Sequence, residues 1–185
     1  MNARAMVGFC LFSFLFAGCY IPFLQPMYHQ DDLIHSPTFL GNWYDDEDGQ
    51  WMFSERIGTK LYKLTYIQDG GKEAEFEAAL VALEGREFLN TIVVDLKDEG
   101  ALTKIHILPV YHIFKVEWND GLKLFPIDVE WLEEMLERDH ALPFVNARDE
   151  IKVVSASTEQ IQAFLAQHLD DEKMFSDPVM LKRTP

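Results

Sequence analysis

The chain has 185 residues, with 16 Lys and Arg against 31 Asp and Glu, a formal net charge of −15, and 48% hydrophobic content. That length suits one domain with a sizeable core and leaves little for a second. A charge this negative repels phosphates and anionic headgroups, which excludes nucleic acid as a partner; its ordinary consequence is solubility.

At the start of the chain, Arg4 is the single cation before an apolar stretch from Ala5 to Ala17, and small residues precede Cys19. This is the three-part layout of an export signal. As a helix the stretch is about 20 Å long, short of the roughly 30 Å hydrocarbon core of a bilayer. The residues Phe16-Ala17-Gly18-Cys19 resemble the lipobox of bacterial lipoproteins, in which small residues admit the signal peptidase and the cysteine sulfur receives diacylglycerol.

The resemblance implies a signal peptide at 1–18 and a lipid-bearing Cys19. It makes the membrane a partner through acyl chains, each buried methylene contributing about 0.8 kcal/mol. Tyr20, rather than Asp, follows the cysteine, which implies the outer membrane, facing the periplasm, where a cell has two membranes. Of the two cysteines, Cys10 leaves with the signal and Cys19 carries lipid, so no disulfide forms within one mature chain.

Residues 19–38 contain Pro22, Pro26 and Pro37, mixed polarity and no sustained period, and read as the lipidated cysteine and a tether. A single β-rich domain is expected over 39–185. Trp51 to Ile57 and Leu61 to Gln68 are rich in aromatic and β-branched residues, and a turn at Gly58 separates them. After Asp69-Gly70-Gly71, the apolar residues Ala74, Phe76, Ala78, Leu80 and Ala82 alternate with Glu73, Glu75 and Glu77, the pattern of a strand with one wet face; a helix is the competing reading, since Glu and Ala favour one, and Gly85 ends the segment either way. Strands also follow over Phe88 to Leu96, Leu102 to Leu108, Ile113 to Trp118 and Leu122 to Phe125. Pro109 marks a break, and Asn119-Asp120-Gly121 a hairpin.

Two short helices are expected in the C-terminal half. Asp128 caps one that puts Trp131, Leu132, Met135 and Leu136 on one face. Ser157 and Gln160 make the capping box of another, whose stripe is Ile161, Phe164, Leu165 and Leu169. A short strand at Ile151 to Ser155 lies between them, and Val179 to Arg183 closes the chain.

The stretch Phe39-Leu40-Gly41-Asn42-Trp43, opening this run of strands, resembles the Gly-x-Trp start of lipocalin-like barrels, whose Trp plugs the closed end. The Thr-Asp-Tyr turn and barrel-closing Arg of that family stand out nowhere in the sequence. More broadly, Gly41 to Lys182 is similar to small bacterial lipoproteins with such a domain. The resemblance implies an antiparallel β-barrel or half-barrel, mainly β with minor α.

Chemistry is sparse. The run Asp45-Asp46-Glu47-Asp48-Gly49 fits a calcium-loop pattern only in part, with Asp46, Asp48 and Glu55 in register but Tyr44 at the first ligand position; a solvated hairpin loop is the simpler reading. His106 and His112 share a strand parity that Pro109 interrupts, and neither has a carboxylate at metal-ligand spacing. No hydrolase, phosphate-loop or Cys-x-x-Cys motif occurs, so no metal or cofactor is expected. Tyr62, Tyr66, Phe76, Phe88, Tyr111, Phe114, Trp118 and Phe125 fall in predicted strands, where they either line a cavity or fill a core. The function expected is a non-catalytic, membrane-anchored envelope lipoprotein that binds a small apolar ligand or a protein partner. The alternatives are a structural or assembly lipoprotein of an envelope complex and, behind both, a hydrolase whose site is assembled from distant strands.

Overall fold

Turn chemistry folds the middle of the chain into a meander. The computed structural model describes residues 20–97, 99–100, 108–147 and 151–183. Residues 1–18, Cys19, His106 and most of the strand expected over Leu102 to Leu108 lie outside the described residues. A short strand β1 (Leu33–Ile34) precedes β2 (Gly41–Tyr44), β3 (Gln50–Glu55), β4 (Tyr62–Ile67), β5 (Glu73–Leu83), β6 (Arg86–Leu96), β7 (Tyr111–Trp118) and β8 (Leu122–Pro126). From β2 to β8 each strand pairs with the next, antiparallel. Glu84 and Gly85, at φ 48° and 74°, make the two-residue turn between β5 and β6, a left-handed pair that matches the twist of the flanking strands.

Helix α1 (Val129–Glu137), the hairpin β9 (Phe144–Asn146) and β10 (Lys152–Val154), helix α2 (Thr158–His168) and β11 (Val179–Leu181) follow. Both predicted caps are present. The Asp128 carboxylate accepts from the Trp131 amide at 2.9 Å, and Ser157 and Gln160 form a reciprocal capping box. β11 lies antiparallel to β8, and its far edge meets β2. The Tyr44 amide donates to the Lys182 carbonyl at 2.8 Å, and the Lys182 amide to that of Tyr44 at 2.9 Å. The described strands thus form a mainly β, nearly closed antiparallel barrel, with its two helices in the C-terminal half.

Alternation along the strands divides the apolar residues between two cores. Ala78 and Leu80 on β5, Leu89 on β6 and Phe114 and Val116 on β7 face the barrel interior with Trp43, Trp51, Phe53 and Leu64. Their neighbours Ala79, Val81, Phe88 and Ile113 face outward, where α1, α2 and the N-terminal residues cover them. β5 therefore has no wet face over Ala78 to Val81, contrary to the one-sided strand read from its alternation. Glutamates at 73, 75 and 77 keep only the first half of β5 polar.

The expected tether is corrected. Ile21, Phe23 and Met27 are buried in the outer core, and the segment is held on both sides. Phe23 exchanges backbone hydrogen bonds with Tyr111 at 3.0 and 2.8 Å, Leu24 donates to the Val154 carbonyl at 2.9 Å, and Val154 donates to that of Pro22 at 2.9 Å. Asn90, 1% exposed on β6, accepts from the Met27 amide at 3.1 Å and donates to the His112 carbonyl at 2.8 Å. The prolines that suggested a linker sit at positions whose missing N–H breaks no bond in this arrangement. Residues 20–34 are a strap joining the β9–β10 hairpin to the barrel wall.

Candidate functional site

The two ends of the barrel differ. At one end Phe39 packs edge-on against Phe53 (4.6 Å between centroids) and Trp118 (5.4 Å). The Trp43 indole donates to the Phe39 carbonyl at 2.9 Å, and Tyr62 is buried beneath, its hydroxyl bonded to the Ser36 backbone. The Arg183 guanidinium lies 4.6 Å from the Trp43 ring and donates to the Thr38 and Leu40 carbonyls. This end is filled. Nothing local marks Arg183 as a closing cation, because its partners are two backbone carbonyls and a ring far away in the chain.

The other end is open. A cavity of about 390 Å³ runs into the barrel from there, within the range of roughly 300–1,000 Å³ typical of small-molecule sites. Its inner wall is Trp51, Leu64, Tyr66, Phe76, Thr91, His112, Phe114 and Val179. The space arises from side-chain size: Thr91 is paired with Ala78 on one side and His112 on the other, so the β5–β6 wall carries no large side chain at that level. Over the mouth lie Tyr20, Ile21 and Pro22 of the strap, Val129 and Glu133 of α1, and Ile151 and Lys152 at the start of β10. Most of the lining is apolar, with a few polar groups set among it.

Four of these groups have defined surroundings. His112 meets the Tyr20 ring edge-on at 5.5 Å, and burial holds its imidazole below the usual range, hence neutral at pH 7. Burial, followed by the nearby charges of Asp45 and Glu47, pushes the Tyr66 hydroxyl up to about 12. Trp51 is fixed by its indole N–H, which donates to Asp45 at 2.9 Å; that carboxylate also accepts from the Glu47 and Gly49 amides at 3.0 and 2.7 Å. Lys152 lies between Glu133 and Glu137, 3.0 Å from each, and these hydrogen bonds hold its ammonium above the usual lysine range.

A second, more open hollow adjoins the first. It has a volume of about 450 Å³ and is lined by Asp45, Asp46, Glu47, Asp177, Ser176 and the apolar residues around Pro178. Tyr20 and Val179 belong to the walls of both.

The eight strand aromatics separate by position. Tyr66, Phe76 and Phe114 line the cavity, while Tyr62 and Trp118 belong to the filled end. Phe88 and Tyr111 belong to the outer core, and Phe125 lies under the Lys115 ammonium at 4.4 Å. The calcium candidate is not assembled. Asp46 and Asp48 sit in the β2–β3 turn at the open end, whereas Glu55 ends β3 at the other, roughly 17 Å of strand away, next to His35 at 3.4 Å. Asp46 instead pairs with Lys182 at 3.0 Å. Among the described residues no three His, Cys, Asp or Glu side chains converge as a metal site. The strap and Lys152 escaped sequence reasoning because they reach the mouth through tertiary packing. No helix among the described residues is long and apolar enough to cross a membrane. No family model, curated protein or solved structure matches the chain.

Proposed function

We propose that this protein is a lipid-anchored envelope lipoprotein whose barrel is a non-catalytic binding module for a small apolar ligand. The observation that carries the binding half is the cavity: about 390 Å³, lined chiefly by Trp51, Leu64, Phe76, Phe114 and Val179. An apolar void of about 150 Å³ already holds a benzene-sized guest, so this space accommodates more than one ring or a folded alkyl chain. Neutral His112 and Thr91 supply polar contacts that orient a guest without charging the pocket.

The anchoring half rests on the lipobox-like Phe16-Ala17-Gly18-Cys19. Tyr20 lines the cavity, and one residue advances the chain by about 3.8 Å. An anchor at Cys19 therefore holds the open end of the barrel near the membrane, on a short leash. In a cell with two membranes the outer one, facing the periplasm, is the location this reading favours. The assembly alternative draws on exposed apolar surface, but among the described residues the two most exposed large apolar side chains, Ile57 and Val94, sit towards opposite ends of the barrel.

The test of binding is a titration of the full chain with the neutral fluorophore N-phenyl-1-naphthylamine. Saturable emission enhancement, with quenching of Trp51, is expected. Thr91→Phe fills the space between the walls and should weaken binding about tenfold or more, a loss of about 1.4 kcal/mol, with the melting transition retained. Equal binding by wild type and this variant would overturn the reading. For the anchor, Cys19→Ala should abolish the lipidated N-terminal peptide seen by mass spectrometry and move the protein out of the membrane fraction.

A further inference from the structure

We infer that the ligand of the barrel cavity is a cationic amphiphile, its apolar tail inside the barrel and an ammonium head in the acidic hollow beside the mouth. This rests on the binding reading above and adds the sign of the ligand's charge.

The cavity and the hollow are neighbours because Tyr20 and Val179 form part of both walls. A guest seated against Trp51 and Phe114 with its head at Tyr20 therefore emerges beside Asp45, Asp46, Glu47 and Asp177. The acidic hollow alone would be an ordinary solvated surface; the apolar cavity opening beside it gives it an amphiphile to receive. Two of these charges are committed. Asp45 is bound by the Trp51 indole and two backbone amides, and Asp46 by Lys182. Glu47 and Asp177 are exposed and remain available to a cation.

A second observation excludes the opposite sign. Among the described residues, the single cationic side chain in the cavity lining is Lys152, held between Glu133 and Glu137. An anionic head at the mouth would have to displace a carboxylate from Lys152 and approach the remaining ones. Lys152 and Lys182 stand against Glu133, Glu137, Asp45, Asp46, Glu47 and Asp177, and two cations among six carboxylates leave a net negative field, which in a partly desolvated cleft is screened less than on open surface.

The experiment displaces bound N-phenyl-1-naphthylamine from the full chain at pH 7 and low ionic strength with dodecylamine, dodecanol or dodecanoate, each below its micelle concentration. Dodecylamine is expected to displace the probe at a concentration about tenfold or more below that of dodecanoate, with dodecanol between. The Glu47→Gln/Asp177→Asn double variant should shrink that preference severalfold while leaving dodecanol unchanged. An equal neutralisation at the filled end, Glu84→Gln/Asp120→Asn, should leave the preference intact. Dodecanoate competing as well as dodecylamine, or both double variants reducing the preference alike, would overturn the inference. A chain that fails to bind the probe at all would overturn the cavity reading itself, and this one with it.

Discussion

Replacing Phe23 by Ala separates a strap from a tether. Phe23 is 1% exposed and sits among Ile21, Met27 and the outward side chains of the barrel wall. Its backbone bonds to Tyr111 survive the change, since Ala keeps both the N–H and the carbonyl, so the substitution isolates packing. An aromatic side chain buries on the order of 150–250 Å², which at about 25 cal/mol per Å² gives about 4–6 kcal/mol as an upper bound. Measured Phe→Ala losses in cores run at about 3–5 kcal/mol. In a domain of this size each kcal/mol moves the melting temperature by roughly 2–4 °C, so a fall of roughly 6–20 °C is expected. Urea unfolding followed by far-ultraviolet circular dichroism reads the free energy directly, and Gln25→Ala, an exposed position two residues on, should shift it by no more than about 0.5 kcal/mol. A loss below about 1 kcal/mol for Phe23→Ala, indistinguishable from Gln25→Ala, would mean that the segment is not part of the cooperative fold.

Three further outcomes follow from particular contacts. Asn90→Ala leaves the buried Met27 amide without its acceptor and should cost about 1–3 kcal/mol in urea unfolding, with amide exchange at Met27 accelerated; unchanged exchange there would contradict the assignment. Gly49→Ala places a methyl group onto the Asp45 carboxylate, so Trp51 should lose its indole acceptor and shift its emission, whereas Gly100→Ala, which meets no atom within 4 Å, should not. Asp32 is held below the usual carboxylate range first by the His29 amide and then by Gln162. Its folded pKa lies below the unfolded one, so its contribution is complete above about pH 4 and disappears as pH falls through the lowered value. Urea midpoints between pH 6 and 3 should fall more gently for Asp32→Asn, and identical slopes would refute that role.

The elements that local chemistry decides were legible in the sequence. Asp128 and Ser157 act within one helical turn, and Asp120-Gly121 within one hairpin, so their outcome depends on nothing distant. The residues 20–34 misled because proline and mixed polarity describe a linker and a strap equally well; the difference lies in partners on β7 and β10. The same holds for β5. Its alternation of Glu with Ala and Leu is a true record of strand geometry, but sequence alone does not show that a second layer covers the outward face from Ala79 on. For the site, parity placed aromatics in strands without saying which end of the barrel they occupied. Register supplied the answer, setting Thr91 opposite Ala78 and leaving the space that Phe39, Trp43 and Trp118 fill at the other end.

The seam between β2 and β11 has a kinetic meaning. It joins the first and last strands of the ring: Asp46 and Lys182, paired across it, are 136 residues apart in sequence. A ring closed by its first and last strands stays an open sheet, with two unsatisfied edges, until its final segment arrives. Such a long-range closure makes folding slow and leaves the half-built barrel exposed to association through those edges. Arg183, docked over Trp43 just past that last strand, is then the contact that marks the ring as complete.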